Sequence, residues 1–276
     1  MRFSKYHGLG NDYLVMDEMR LTELPERIRA ICNRNFGIGS DGILFGPLPS
    51  KSALAALRIF NPDGSEAEKS GNGIRIFCRH LWERGSVGRE PFLLETPGGI
   101  VRCRVIDPRQ EIEVEMGKVS FHSEIIPVTG GPREVVDEVI ELDGEKLRFS
   151  AVTIGNPHCV ILSDEVDAAL AQRLGPKIER YPLFPNRTNV QFMKVIDPTC
   201  VRVEIWERGA GYTLASGSSA SAAAAVACRL GLCESKVRVQ MPGGSLQIEI
   251  GEDFSILLSG PVTKVGYGTV YDEIFG

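Results

Sequence analysis

Three sequence landmarks occur twice in this chain of 276 residues, and they constrain its fold more than any other feature. The repeats are Gly10-Asn11 with Gly155-Asn156, Ser70-Gly71 with Ser216-Gly217, and Pro97-Gly98-Gly99 with Pro242-Gly243-Gly244. Their offsets are 145 (155 − 10), 146 (216 − 70) and 145 (242 − 97) residues. Because order and spacing are both kept, we interpret them as the duplication of a domain-sized unit, which is far longer than a solenoid repeat.

The sequence around each Ser-Gly pair predicts the same order of elements. A short strand (57–60 or 201–205) precedes a Gly-containing turn, the Ser-Gly pair and a helix. In the first helix Ile74, Phe77 and Leu81 fall on one apolar face. The second helix, 218–230, is rich in Ala nearly all round, so we expect it to be buried on most sides.

Strands outnumber helices in the rest of the chain. Further strands are predicted at 91–94, 100–105, 112–116, 237–239, 245–250 and 255–258, and further helices at 24–33 and 165–174. Runs of strands around single helices are typical of α+β folds rather than of doubly wound α/β folds. The length suits two domains, and the Gly-rich stretch 116–132 is the candidate boundary.

Composition excludes several classes of protein. The formal net charge is −5, so there is no basic surface of the kind that binds nucleic acid. The chain has no apolar run near the roughly 20 residues that a membrane span needs, and its N-terminus lacks an apolar signal-peptide core. The seven cysteines form no Cys-x-x-Cys pair, and we expect free thiols in a reducing cytoplasm and no metal site.

The two helix starts allow two interpretations. A Ser at this position caps a helix by accepting a hydrogen bond from a free backbone N–H. Alternatively, the first N–H groups bind a carboxylate or phosphate, because glycine lets a ligand approach closely and the helix end is positive. The N–H groups in question belong to Gly71, Asn72, Gly73, Gly217, Ser218 and Ser219. The repetition in both halves favours anion binding, and two positive helix ends facing one cleft suit an acid that loses its α-proton.

Other polar residues also have two interpretations. The asparagines near turns are explained by turn chemistry, or they line a site for a small polar substrate; they are Asn11, Asn61, Asn72, Asn156 and Asn189. Glu207 and Arg208 form a surface ion pair, or Arg208 binds a carboxylate directly before the second Ser-Gly pair. His158 is either structural or a base.

Together these motifs resemble the diaminopimelate epimerase family. The residues that carry the resemblance are His7 to Tyr13, Gly37 to Gly42, Phe60 to Ser65, Gly71 to Arg75, Gly155 to His158, Arg187 to Val190 and Trp206 to Gly211. They occur in the family's order and cover essentially the whole chain. Each motif is weak by itself, whereas the set is highly specific.

The resemblance implies a duplicated, pseudo-symmetric α+β fold of two domains, each a barrel-like sheet around a central helix. The final strand returns to the first domain, so the domains comprise 1–118 with 263–276, and 119–262. It also implies a homodimer and a cofactor-independent isomerase that interconverts LL- and meso-diaminopimelate, a step toward lysine and peptidoglycan precursors. The residues that match the family's substrate-binding positions are Asn11, Asn61, Gly71, Asn72, Asn156, Asn189, Glu207, Arg208, Gly217 and Ser218.

The sequence departs from the family at both acid–base positions. The family has a cysteine before each of the two glycines, where this chain has Ser70 and Ser216. A thiol has a pKa near 8.5 and ionises readily at a helix N-terminus, whereas an alcohol is close to water, near 15.7. If the gap is taken as roughly 5 pKa units, a serine base starts about 7 kcal/mol worse, on the order of 10⁵ in rate.

Three explanations are open for the serines. They are engineered replacements of cysteine, which Lys69, Tyr212 and the serine-rich loop at 218–221 argue against, since these also differ from the family. Alternatively, the chain is a divergent isomerase of diaminopimelate or another 2-amino acid, with Ser70 and Ser216 in the acid–base positions and Lys69 or His158 as an auxiliary base. In the third explanation the chain binds an amino acid without catalysing its epimerisation.

Overall fold

The structure is a computed structural model that describes residues 1–18 and 24–276. Its helices are α1 (Leu24–Cys32), α2 (Gly71–Glu83), α3 (Ala168–Glu179), α4 (Gly217–Arg229) and a terminal 3₁₀ helix (Asp272–Phe275). The first nine strands are β1 (Arg2–Gly8), β2 (Asn11–Met16), β3 (Ile43–Leu48), β4 (Ala55–Phe60), β5 (Glu66–Ala67), β6 (Phe92–Thr96), β7 (Gly99–Asp107), β8 (Glu111–Lys118) and β9 (Glu138–Leu142). The others are β10 (Glu145–Thr153), β11 (Pro157–Leu162), β12 (Asn189–Asp197), β13 (Cys200–Glu207), β14 (Gly211–Thr213), β15 (Lys236–Met241), β16 (Gly244–Ile250), β17 (Ser255–Gly260) and β18 (Thr263–Thr269).

The chain divides into two compact units. Unit 1 comprises Met1–Glu115 and Ser259–Gly276, and unit 2 comprises Met116–Leu258. The domain boundaries at 118/119 and 262/263 stay a prediction. All seven cysteines are unpaired, and five of them are buried.

In unit 1 the strands pair in an order that mixes directions. β1 pairs antiparallel with β2, β2 parallel with β3, β3 antiparallel with β4, and β4 parallel with β6. β5 is a short antiparallel neighbour of β4, and β6, β7 and β8 continue antiparallel. The terminal strand β18 pairs antiparallel with β1, so the predicted return of the last strand to the first domain is confirmed.

Unit 2 repeats this order strand for strand. β10 pairs antiparallel with β11, β11 parallel with β12, β12 antiparallel with β13, and β13 parallel with β15. The short strand β14 lies antiparallel to β13, as β5 does to β4, and β15 and β16 are antiparallel. Because the same alternation of parallel and antiparallel pairs occurs twice, the predicted duplicated α+β fold is confirmed.

A central helix lies against each sheet. α2 and α4 are both 13 residues long and follow Ser70 and Ser216, whose backbones are extended (φ −141° and −146°). α2 buries Ile74, Phe77 and Leu81, as the spacing predicts. α4 contacts β10, β11, β12, β13, β15 and β16, and its alanines are buried on all sides. Small side chains all round let this helix sit close to six strands.

The third helix differs from its predicted range. α3 begins at Ala168 because the Asp167 carboxylate accepts a hydrogen bond from the Leu170 N–H at 2.7 Å and caps the helix. It continues to Glu179, beyond the predicted end at residue 174, and includes Pro176. Gly175 is required there by packing, since a Cβ at this position would lie 2.5 Å from Cγ of Trp206.

Candidate active site

In each unit we call the cluster of predicted site residues a half-site, and in unit 1 it begins at Ser70, directly before α2. The Ser70 hydroxyl accepts a hydrogen bond from the Gly73 N–H at 3.1 Å, so the predicted helix cap is present. The Gly73 N–H is therefore committed to the cap, and the expectation that it binds an anion is wrong. The phenol oxygen of Tyr13, on β2, lies 3.3 Å from Ser70 Oγ, which brings a second hydroxyl to the helix start.

A chain of amides lies beside this helix start. The fully buried Arg75 donates from Nη2 to Oδ1 of Asn72 at 3.1 Å. Asn72 in turn donates from Nδ2 to Oδ1 of Asn11 at 3.1 Å, and Asn11 donates to Asp41 Oδ2 at 3.1 Å. Because a guanidinium only donates, it fixes which way each amide faces. The structure thus brings the predicted site residues Asn11 and Asn72 together.

Asn61 and Lys69 are two further predicted site residues of unit 1. Asn61 lies in the turn after β4, where its N–H donates to the Ser65 carbonyl at 2.8 Å and its Nδ2 donates to Ser65 Oγ at 3.0 Å. These are the contacts of turn chemistry. Lys69 is half-buried beside Ser70, and burial lowers the pKa of its ammonium group.

Ser216 forms the corresponding start in unit 2. Its hydroxyl accepts a hydrogen bond from the Ser219 N–H at 3.5 Å and lies 3.4 Å from Ser218 Oγ. As in unit 1, the third N–H of the helix faces the capping serine, and anion binding by the Ser219 N–H stays a prediction. The Gly217 carbonyl accepts a hydrogen bond from Ser221 Oγ at 2.8 Å, so Ser221 contacts the backbone of the first turn of α4.

His158 lies at the centre of a buried polar chain in unit 2. It has 0% exposure, and its Nε2 lies 3.0 Å from Asn156 Oδ1, an arrangement that places the ring proton on Nε2. His158 Nδ1 and Oε1 of the buried Gln191 both lack a hydrogen-bond partner, while Gln191 Nε2 lies 3.0 Å from Ser219 Oγ. The opposite orientation of the Gln191 amide lets Nε2 donate to His158 and Oε1 accept from Ser219, which satisfies both atoms.

Burial keeps His158 uncharged. Desolvation lowers its pKa to about 3, and the positive charge of Arg208 adds to the effect. A general base works best with a pKa near the operating pH, so His158 is a poor base in this position. The structure therefore favours the structural interpretation of His158.

The depressed pKa of His158 predicts an acid-sensitive fold. Below pH 6.5 the unfolded chain protonates this imidazole, whereas the native chain stays neutral until the pH nears 3. The neutral imidazole therefore adds to the free energy of unfolding above pH 6.5, and this stabilisation is lost as the pH falls, by up to about 1.4 kcal/mol per pH unit.

Between pH 7.5 and pH 5 we expect the free energy of unfolding, measured by urea denaturation, to fall by about 2 kcal/mol less in His158→Gln than in wild type. The exposed His122→Gln is the control, and an equal loss in His158→Gln and wild type would contradict the assignment.

Asn189 holds two segments of the unit 2 half-site together. Its Nδ2 donates to the Pro157 carbonyl at 2.9 Å, and its Oδ1 accepts a hydrogen bond from the Arg208 N–H at 3.0 Å. The exposed guanidinium of Arg208 donates to the Asn186 carbonyl at 3.2 Å. Asn189 thus fixes the backbone at Arg208, and Glu207 immediately precedes it at the end of β13.

Glu179, at the end of α3, was not predicted from the sequence. This buried carboxylate accepts hydrogen bonds from Trp206 Nε1 at 2.7 Å, the Gly209 N–H at 3.2 Å and Arg187 Nη1 at 3.1 Å. Its partners at 206 and 209 flank Glu207 and Arg208 on both sides. Glu179 therefore holds in place the turn that carries these two residues.

The described residues hold two separate half-sites, one in each unit. Unit 1 brings together Ser70, Tyr13, Asn72 and Asn11, while hydrogen bonds within its own turn hold Asn61. Unit 2 joins Asn156, His158, Gln191 and Ser219 in one chain and Asn189 with Arg208 in another. Sequence reasoning missed Tyr13, Arg75, Gln191 and Glu179 as site residues.

Residues 1–18 and 24–276 contain no group of three or more His, Cys, Asp or Glu side chains placed to hold a metal ion. In the same ranges, no helix has the length and apolar character of a membrane span.

Sequence comparisons identify relatives along the whole chain. The sequence model of the diaminopimelate epimerase family matches residues 3–122 and 150–265. A protein of Nostoc sp. named diaminopimelate epimerase 2 is 60% identical over 100% of this chain and 97% of its own. The diaminopimelate epimerase of Desulfitobacterium hafniense is 41% identical over 99% of both chains.

Solved structures share the fold. A probable proline racemase of Agrobacterium radiobacter has a TM-score of 0.73 at 17% identity, over 98% of this chain and 93% of the racemase. A hydroxyproline epimerase of Agrobacterium vitis has a TM-score of 0.70 at 16% identity, over 97% of this chain and 91% of the epimerase. The duplicated fold and the family match agree, and the chain belongs to the diaminopimelate epimerase family of isomerases.

Proposed function

We propose that the chain is a cofactor-independent epimerase that interconverts LL- and meso-diaminopimelate by proton transfer at the α-carbon. The observation that carries the proposal is the pair of serine-capped helix starts, placed identically in two units of the same fold. The names of its close relatives support diaminopimelate as the substrate. An epimerase needs two acid–base groups, and a duplicated helix start supplies two equivalent positions.

The α-carboxylate is the group that the helix starts are suited to bind. We propose that it accepts hydrogen bonds from the N–H groups of Gly71, Asn72, Gly217 and Ser218, the ones left after the caps have formed. Loss of the α-proton moves negative charge onto the carboxylate, and backbone donors at a positive helix end stabilise that charge most when it is largest. The same contacts thus bind the substrate and lower the barrier.

The proton transfers are assigned to Ser70 and Ser216. One hydroxyl oxygen accepts the α-proton from one face of the carbon, while the other serine donates a proton to the opposite face. We propose that the rest of the substrate is bound by Asn11, Asn61, Asn156, Asn189, Glu207 and Arg208. Lys69 remains the auxiliary base of the proposal, because burial lowers the pKa of its ammonium group.

Ligand binding without catalysis is the second candidate function. It is favoured by the serines themselves, since an alcohol is about 5 pKa units or more above a thiol. Purified protein is incubated with LL-diaminopimelate, the meso product is separated by chiral chromatography, and binding is measured by calorimetry. Meso product supports the epimerase, whereas a binding heat without any product supports the binding protein.

We also propose a cytoplasmic homodimer. Free cysteines support a reducing compartment. Exposed apolar side chains on and beside β18 support a subunit contact there, because Val265, Tyr267 and Tyr271 are 58%, 83% and 72% exposed. Sedimentation equilibrium distinguishes a dimer from a 30.2 kDa monomer, and a monomer at micromolar concentration would contradict this proposal.

A further inference from the structure

We infer that Tyr13 is a proton-relay residue that exchanges a proton with Ser70 Oγ during the epimerisation. The inference rests on the proposed function, because it gives the serine of unit 1 a means of acting as an acid and a base. It adds a reacting group that neither the repeat nor the motifs indicated. The contact on which it stands is the 3.3 Å distance between the Tyr13 phenol oxygen and Ser70 Oγ.

The hydrogen-bonding capacity of Ser70 Oγ fits a relay. A serine hydroxyl has one O–H donor and two acceptor lone pairs. One lone pair accepts the Gly73 N–H at 3.1 Å, and the O–H is able to point to Tyr13 at 3.3 Å. The second lone pair then remains for the α-proton of a substrate. The helix cap and the relay therefore use different sites on the same oxygen.

Tyr13 is held firmly in this position. It is 6% exposed, lies on β2, and is paired with Tyr6 of the neighbouring strand β1. Its ring lies against Gly42, where an added Cβ would be 2.6 Å from the ring atom Cε1. Position 42 thus needs glycine to make room for the ring. A fixed ring keeps the phenol oxygen at the helix start without a large loss of side-chain freedom on binding.

The relay balances protons and charge in both directions. In the basic direction the substrate Cα–H bond breaks and a bond to Ser70 Oγ forms, while the serine O–H proton moves to a Tyr13 phenolate. The negative charge moves from the phenolate to the substrate carbanion. In the acidic direction the serine protonates the carbanion and Tyr13 replaces the serine's proton. No oxidant, cofactor or further reactant is required.

The chemical advantage is the acidity of the phenol. A phenol has a pKa of about 10 and a thiol about 8.5, whereas an alcohol lies close to water at about 15.7. A phenol–serine pair is therefore only ~1.5 units less acidic than the family's thiol, about a 30-fold difference in the population of the basic form. An unassisted serine loses on the order of 10⁵ on the same scale.

The two helix starts are unequal in this respect. The residue 145 positions after Tyr13, at the offset that relates Gly10 to Gly155, is His158, whose fully buried ring faces Asn156 and whose pKa is lowered to about 3 by burial. Ser216 Oγ instead has Ser218 Oγ at 3.4 Å, which is another alcohol. Ser70 therefore has a phenolic partner and Ser216 has an alcohol. The duplication preserves the helix starts but not the group beside each serine.

The test is a double-mutant cycle with the full-length protein. All four proteins carry Ser216→Cys, so that proton transfer at residue 70 limits the rate. Tyr13→Phe, which removes only the hydroxyl, is made both with Ser70 intact and together with Ser70→Cys. With Ser70 intact we expect Tyr13→Phe to lower kcat at least 100-fold, with KM within about 3-fold. In the Ser70→Cys background, where the thiol needs no phenol, the same change is expected to alter kcat less than about 3-fold.

Tyr6→Phe is the matched control. Tyr6 is also buried, but its hydroxyl donates to Glu83 Oε2 at 2.9 Å rather than to Ser70 or Ser216, so the change removes a phenol of the same sheet without removing the proposed relay. We expect it to lower the melting temperature and to leave kcat within about 3-fold. An equal cost of Tyr13→Phe with Ser70 intact and with Ser70→Cys, or no cost in either background, would overturn the relay alone. No meso product from any of these proteins would contradict the proposed function as well.

Discussion

Replacing Ser216 by Cys is expected to raise the rate of LL-diaminopimelate epimerisation by up to about 3,000-fold, which is the roughly 10⁵-fold cost of an alcohol divided by the roughly 30-fold limit that remains at Ser70. Ser216 caps α4, and the side-chain hydroxyl beside it is that of Ser218, at 3.4 Å. A thiol at this helix N-terminus is stabilised as a thiolate by the positive helix end, whereas the alcohol stays protonated. The measurement is the initial rate of meso product formation by chiral chromatography.

The same replacement at Ser70 is expected to have a smaller effect. In our proposal Ser70 exchanges its proton with the Tyr13 phenol, and a phenol and a thiol differ by only ~1.5 pKa units. Ser70→Cys is therefore expected to raise the rate at most about 30-fold. The order Ser216→Cys above Ser70→Cys is a direct consequence of the unequal neighbours of the two serines.

Ser221→Cys is the control for a thiol in the same helix. Ser221 is buried in α4 and donates to the Gly217 carbonyl at 2.8 Å, and we assign it no role in proton transfer. Its replacement is expected to change the rate less than about 3-fold. If Ser216→Cys gave no gain, or if Ser221→Cys gave the same gain, the assignment of Ser216 as an acid–base residue would be wrong.

Removal of the Glu179 carboxylate is expected to destabilise the protein by about 3 kcal/mol and to raise KM about 10-fold. In Glu179→Ala the donors Trp206 Nε1 and the Gly209 N–H lose the acceptor that they contact at 2.7 and 3.2 Å. An unsatisfied buried donor costs about 1–3 kcal/mol. The pair with the half-exposed Arg187 adds little, because solvent screens it.

The rise in KM follows from the turn that Glu179 holds. Glu207 and Arg208 lie between Trp206 and Gly209, the two partners that Glu179 holds, so a loosened turn weakens substrate binding in the ground state and the transition state alike, with kcat nearly unchanged. Urea denaturation and initial rates measure the two effects. Glu145→Ala is the matched control, since Glu145 is exposed and only 3.8 Å from Arg173. If Glu179→Ala kept the wild-type free energy of unfolding and KM, the turn at 206–209 would not depend on Glu179.

The duplicated fold was predictable because its signals are local. The Gly-containing turns, the Ser-Gly pairs and the apolar faces of α2 and α4 are all encoded within short segments, and they recur at one offset. The end of α3 was not predictable in this way, because Gly175 and Pro176 normally stop a helix. In the structure Gly175 is needed inside α3 because it packs against Trp206, and this contact joins residues 31 positions apart.

The site was predictable only in part, for the same reason. Asn11, Asn72 and the two serines lie in recognisable motifs, and the structure joins Asn11 to Asn72 and caps a helix with each serine. The contacts of Tyr13 with Ser70 and of Glu179 with Trp206 and Gly209 connect distant segments, which no spacing rule indicates. For His158 the sequence left a structural and a catalytic interpretation open, and the burial that lowers its pKa to about 3 favours the structural one.

The most direct test of the central claim is the uptake of solvent deuterium at the α-carbon. Wild-type protein is incubated with LL-diaminopimelate in deuterium oxide, and the early meso product is analysed by mass spectrometry and NMR. If Ser70 and Ser216 exchange protons at opposite faces, the inverted α-carbon of the meso product carries deuterium. If neither isomer takes up deuterium while calorimetry still records binding, the two helix starts hold an amino acid but do not epimerise it.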